Sequence, residues 1–94
     1  MFEPKDTKSY LYLAKIYNLE ENRKEEEKNI NTVLLLDPKN EEAIYMLIEI
    51  ELKKSNYSKV KELTENFIKV CKNLCSKENS IQKSLKNLEP KNES

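Results

Sequence analysis

The side chains from which chemistry would have to be built are few: two cysteines, Cys71 and Cys75, a run of three carboxylates at Glu25, Glu26 and Glu27, and scattered lysines and tyrosines. Two thiolates cannot complete a tetrahedral zinc site, the chain has no His to help them, and a spacing of four is not the CxxC spacing of a redox pair. Cys71 therefore reads as a small core residue and Cys75 as a partly exposed one. The Glu25, Glu26, Glu27 run reads as a solvated face in an early helical turn, where negative charge favours the helix N-terminus. The lack of His also removes the usual neutral-pH general base and any Ser/His or Cys/His nucleophile pair. With no Gly there is no phosphate-cradling loop. Carboxylates and lysines could act as acids or bases only in a desolvated cleft, which short helical hairpins rarely form. The expectation is a protein that is not an enzyme and has no cofactor and no metal.

Charge points to no polyanionic partner. The 17 basic and 17 acidic residues cancel, so no overall field favours nucleic acid or membrane. Residues 1–68 carry 11 Lys/Arg against 14 Asp/Glu, and residues 69–94 carry 6 Lys against 3 Glu, a weakly basic end. Arg23 is the one arginine, and lysine lacks the planar fork that reads bases or phosphates. The longest apolar run, residues 43–48, falls far short of the roughly 20 residues of a membrane span, and no signal core is visible near Met1. A cytoplasmic location follows by default, with the nucleus possible.

Hydrophobic residues make up 37% and charged residues 36% of the 94, the balance of exposed helices each carrying one apolar stripe. Gly would supply the positive-φ positions of tight hairpins, and its absence argues against an antiparallel sheet. The fold class expected is all-α. Shifting the chain against itself by 34 residues lays Phe2-Glu3-Pro4-Lys5-Asp6 over Leu36-Asp37-Pro38-Lys39-Asn40. Tyr10 then falls over Ile44, Leu13 over Leu47, Ile16 over Ile50, Ile30 over Thr64 and Val33 over Phe67. Such a period marks stacked supersecondary units. In each unit two apolar stripes of helical spacing flank a polar break, residues 20–24 in the first and Ser55-Asn56-Tyr57 in the second. Pro38 stops one helix, Glu41 and Glu42 favour the start of the next, and Thr7 is placed to cap the first. An ordinary antiparallel bundle with a coincidental period is the rival arrangement.

Tyr10-x-x-Leu13-Ala14-x-x-Tyr17 resembles the tetratricopeptide (TPR) signature, Asp37-Pro38-Lys39-Asn40 resembles that family's inter-repeat linker, and Ser55-Asn56-Tyr57 its turn. The resemblance covers residues 2–74. It implies a single domain over 1–94: repeat unit 7–40, repeat unit 41–74, a C-terminal helix 77–88 and a tail 89–94. That is two antiparallel helical hairpins of a TPR-like α-solenoid plus a capping helix. The sequence departs from the family where a small residue lets paired helices approach: Ala14 holds that position in the first unit, Ile48 in the second. The small residue of the following helix is Glu26, then Val60, and the counterpart of Tyr17 is Glu51. Looser packing is expected there. Residues 57–88 could form one long helix, but the polar stretch 76–80 argues for a break, with Pro90 ending the last helix. That helix either caps the second unit or begins a third. Since about three repeats are needed for independent stability, the expectation is a part of a longer array, or self-association through an exposed flank.

What the resemblance implies for function is a concave groove lined by the first helix of each unit. Here that face would carry Lys8, Leu11, Tyr12, Lys15, Leu19, Glu42, Tyr45, Met46, Glu49, Leu52 and Lys53. Tyr and Met suit a contact surface, offering apolar area with a polar or adaptable edge. The expected function is a non-catalytic scaffold that binds a protein or peptide segment, with Lys15 and Glu49 setting its orientation. The positions at which some family members clamp a chaperone's C-terminal carboxylate hold Leu11, Lys15 and Met46, which disfavours that ligand. The alternative is a homo-oligomeric assembly element that uses exposed helix flanks.

Overall fold

A computed structural model describes residues 6–88, which form five helices and, among the described residues, no strand. They are α1 (Thr7–Leu19), α2 (Arg23–Leu36), α3 (Glu41–Lys53), α4 (Tyr57–Val70) and α5 (Lys77–Leu88). Each packs on the next in chain order, and α5 also reaches α3. The fold is all-α, and residues 57–88 are two helices, broken at 71–76. The Phe2 to Lys5 part of the repeated string, Pro90 and the tail 89–94 lie outside the described residues.

The starts of α1 to α4 share one chemistry. Asp6 caps α1, its side chain accepting from the amides of Lys8 and Ser9. Thr7, expected as the cap, is instead the first helical residue, because Asp6 also takes the Ser9 hydroxyl at 2.7 Å and fixes the turn one position earlier. Asn22, Asn40 and Asn56 cap α2, α3 and α4 in the same way. The caps therefore recur at the 34-residue shift, Asp6 with Asn40 and Asn22 with Asn56.

The turns within each helix pair recur as closely, and they form without glycine. Glu21 and Ser55, 34 residues apart, have φ of 59° and 57°. In the first turn the Asn22 amide donates to the Tyr17 carbonyl and the Glu21 amide to Asn18; in the second, Asn56 donates to Glu51 and Ser55 to Leu52. This is the Schellman arrangement, which satisfies the open carbonyls of a helix end at the expense of a left-handed residue.

The core is a continuous layer through the helix sequence: Ala14, Ile30, Val33, Ala43, Ile48, Val60 and Phe67 are fully buried, and Ile81 and Leu85 of α5 close its far side. α1 packs more closely on α2 than α3 does on α4. Ala14 admits the partner helix, whereas Ile48, also fully buried, holds it off. At the matched position of the second helices, Ile30 is apolar and Thr64 is not. The Thr64 Oγ1 is buried without a hydrogen-bond partner, an uncompensated desolvation.

Two stability outcomes follow. Glu21→Gly and Ser55→Gly each relieve a left-handed side chain and should raise the free energy of unfolding in urea by about 0.5–1 kcal/mol, against the greater entropy of glycine when unfolded. Thr64→Val should add about 1 kcal/mol by removing the orphan hydroxyl at constant shape, and a loss in the same titration would show that the hydroxyl is satisfied in solution.

Candidate functional site

A cleft with a mainly apolar lining opens between α1 and α3. It has a volume of about 400 Å³ and is lined by Lys15, Asn18 and Leu19 of α1, Glu42, Tyr45, Met46 and Glu49 of α3, and Leu74 from the loop after α4. Helical steps of three and four put the lining residues of each helix on one face. The Lys15 Nζ lies 2.5 Å from the Glu42 carboxylate and ties the two walls together, an exposed pair of small energetic weight. Tyr45 leans on buried Phe67, ring centroids 6.1 Å apart, and the Lys77 ammonium sits 5.8 Å from the centre of the Tyr45 ring. Burial, and the Glu49 carboxylate beside it, push the Tyr45 phenol above its ordinary range.

Of the residues expected on a concave face, Lys15, Leu19, Glu42, Tyr45, Met46 and Glu49 are brought to this one cleft. Tyr12 and Lys8 are exposed farther along α1, with Tyr12 at 66%. Leu52 is half-buried against the core. Lys53 lines a separate polar pocket with Asn18, Glu21, Arg23 and Glu26. Leu11 is a correction: it is buried in the core, three residues before Ala14 on the same stripe, and is not available to a partner. Asn18 and Leu74 were not expected. Asn18 stands three residues after Lys15 and was open to discovery by helical spacing, whereas Leu74 belongs to a loop that no periodicity describes.

Glu26 is a second correction. It is buried, with its carboxylate accepting from the Asn18 Nδ2 at 3.1 Å, and is not part of a solvated acidic face. Burial raises its pKa, partly offset by Asn18. Glu27 pairs with Lys54 at 2.7 Å across the α2/α3 interface. Glu51, at the position of Tyr17, is likewise buried and accepts from the Asn56 side chain at 3.3 Å.

The cysteines are the third correction. Cys71 and Cys75 form a disulfide, with Cα atoms 5.3 Å apart, across the loop between α4 and α5. Sequence spacing sets the pair only against a zinc site and the CxxC redox spacing, neither of which bears on a bridge across a turn. In that turn three successive amides point to one carboxylate: Lys72 donates to Glu41 at 2.7 Å, Asn73 to both its oxygens at 3.1 and 3.0 Å, and Leu74 at 3.0 Å. The amide of Lys72, followed by those of Asn73 and Leu74, holds the Glu41 carboxyl below its usual range. Among the described residues no group of three or more His, Cys, Asp or Glu could hold a metal ion, and no helix is long and apolar enough to cross a membrane.

Comparison of the chain with family models, with curated proteins and with solved structures yields no match.

The two carboxylates should bend stability with pH in opposite directions. Glu26, raised in the fold, weakens it at neutral pH, and that weakness disappears as pH falls through the carboxylate range; Glu26→Gln should therefore raise the urea midpoint at pH 7 and leave it unchanged in acid. Glu41, lowered in the fold, contributes stability above its unfolded pKa that is lost as pH falls through the folded one. Glu41→Gln should lower the urea midpoint at pH 7 and converge on the parent in acid.

Proposed function

We propose that the chain is a non-catalytic docking module, a short TPR-like α-solenoid of two helix pairs and a covering helix. Its α1/α3 cleft takes a peptide or protein segment. The observation that carries this reading is the convergence of Leu19, Tyr45, Met46 and Leu74, apolar and at the surface, with Lys15, Glu42 and Glu49 at their margin. The recurrence of caps and left-handed turns every 34 residues supports the repeat reading. The absence of His and Gly from the sequence removes the commonest catalytic and nucleotide-binding devices.

The chemistry of the margin selects the segment. Glu42 already answers Lys15, whereas the exposed Glu49 faces only the neutral Tyr45 phenol and is the carboxylate without a cation across the cleft. The fitting ligand is an apolar segment with a neighbouring Arg or Lys. Its apolar side chains cover Tyr45 and Met46 while its cation meets Glu49, an interaction that steers and orients more than it tightens.

A second reading, assembly with another copy, is favoured by a different observation. Leu47 and Ile50 are buried where α2 precedes α3, but their counterparts Leu13 and Ile16 on α1 are only half-buried. A second copy seated on that flank would complete their burial.

The test uses acetylated Leu-Phe peptides extended by either Arg or Glu, titrated by fluorescence anisotropy. The Arg peptide should bind and the Glu peptide bind more weakly. Glu49→Lys should reverse that order, and Tyr45→Ala should cost about tenfold or more in affinity with helical circular dichroism retained. Equal binding of both peptides to the parent and to Glu49→Lys would remove the cleft from consideration. Light scattering reads the second case, in which Leu13→Glu should dissociate a dimer.

A further inference from the structure

We infer that the Cys71–Cys75 pair is a redox-controlled latch on the α1/α3 cleft: the oxidised form holds the loop that supplies the cleft's Leu74 wall, and reduction lets it go. The inference rests on the docking reading above for its functional consequence, while the latch itself rests on geometry alone.

The two loops that follow α2 and α4 stand at matching places in the repeat, yet they are fixed by different means. The first, residues 37–40, carries Pro38 and is clasped internally, with the Asn40 amide donating to the Asp37 carbonyl at 3.0 Å and the Asn40 side chain to the Asp37 carboxylate at 3.3 Å. The second spans 71–76 between Val70 and Lys77, is two residues longer and has no proline; backbone bonds turn only its far end, the Lys77 amide donating to the Leu74 carbonyl at 2.9 Å and the Glu78 amide to Cys75 at 3.0 Å. The stretch from Cys71 to Leu74 is held by the disulfide and by Glu41, which reaches it from the first turn of α3. Three consecutive amides converge on a carboxylate only when the loop is curled, and the covalent bridge across residues 71–75 restricts the chain to curled forms.

The latch touches the site directly. Leu74, whose amide is one of the three on Glu41, is also a wall of the cleft beside Tyr45 and Met46. Lys77, the first residue of α5, lies against the Tyr45 ring. Opening the loop withdraws apolar surface from one end of the cleft and frees the start of α5.

The switch is accessible. Cys75 is exposed and Cys71 half-buried, so an external disulfide reaches Cys75 first. The Cys75 thiolate attacks a small-molecule disulfide such as oxidised glutathione, releasing one thiol and forming a mixed disulfide. Cys71, deprotonated to water, then attacks the Cys75 sulfur and expels the second thiol. One S–S bond is exchanged for another. Two electrons pass to the small disulfide, and the two cysteine protons end on its two released thiols. Reduction by excess thiol runs the same steps backwards.

The test is amide hydrogen exchange on the full chain in oxidised and in reduced glutathione. Exchange at Lys72, Asn73 and Leu74 should be slowed roughly tenfold or more in the oxidised form, and the chain in reduced glutathione should exchange as fast as Cys75→Ser does in either buffer. Glu41→Ala should speed exchange at the same three amides with the disulfide intact. Equal exchange in the two buffers, or thiols that stay free in oxidised glutathione, overturns the latch. The Leu-Phe-Arg peptide reads the consequence: its affinity should fall severalfold on reduction. A peptide bound equally by both forms severs the latch from the cleft. A peptide bound by neither form counts against the docking reading alone, since the exchange result stands without it.

Discussion

Each of the five helices is 12 to 14 residues long, about the length at which an isolated helix is marginal in water, so none persists without a neighbour to cover its apolar stripe. The fully buried residues are accordingly shared out along the chain: Ala14 from α1, Ile30 and Val33 from α2, Ala43 and Ile48 from α3, Val60 and Phe67 from α4. Each helix packs chiefly on those before and after it in sequence. Stability in such an arrangement is a property of adjacent pairs, and every turn that sets the angle between two helices is a structural element of the same rank as the helices themselves.

That constraint explains why the turns are conserved within the molecule when the side chains are not. Across the 34-residue shift Ala14 becomes Ile48, Tyr17 becomes Glu51 and Glu26 becomes Val60, yet the left-handed residue, its two backbone hydrogen bonds and the Asn cap that follows are retained. The packing between the helices adapts to the substitutions, closer at Ala14 and wider at Ile48, because side-chain volume is absorbed by small changes in helix separation. A lost turn cannot be absorbed in that way. The cleft opens between α1 and α3, which are joined through α2 and its two turns, and Lys15 reaches Glu42 across it.

Much of this was legible in the sequence, and the failures share a cause. Helical stripes, a separate last helix over 77–88 and the turn before Tyr57 are local signals of period and composition, and the helices lie where those signals put them, although the break falls at 71–76 and the polar residues 77–80 are themselves helical. Glu26 was misread because its neighbours Glu25 and Glu27 make a charge run, a local cue. The repeat alignment set it opposite Val60, a position that the core requires to be covered, and position prevailed over charge. Leu11 was misplaced for the converse reason: alignment with Tyr45 put it on the groove, while its own spacing to Ala14 put it in the core. Asp6 displaced Thr7 as a cap because a carboxylate can take two amides and a hydroxyl at once. The disulfide could not be read from spacing, since its formation depends on a loop shape that Glu41, about thirty residues earlier, helps to impose.

This last dependence also decides how securely α5 is held. Its buried side chains are Ile81 and Leu85, a small contact for twelve residues, whereas α3 is covered by neighbours on both sides. A helix anchored by so little apolar surface takes its position largely from the segment that leads into it. The lead-in here is fastened at both ends of the Cys71–Cys75 bridge and at Glu41, and from it Leu74 and Lys77 reach the neighbourhood of Tyr45. The apolar wall of the cleft and the seating of the last helix thus hang on one short loop, and whatever loosens that loop acts on both.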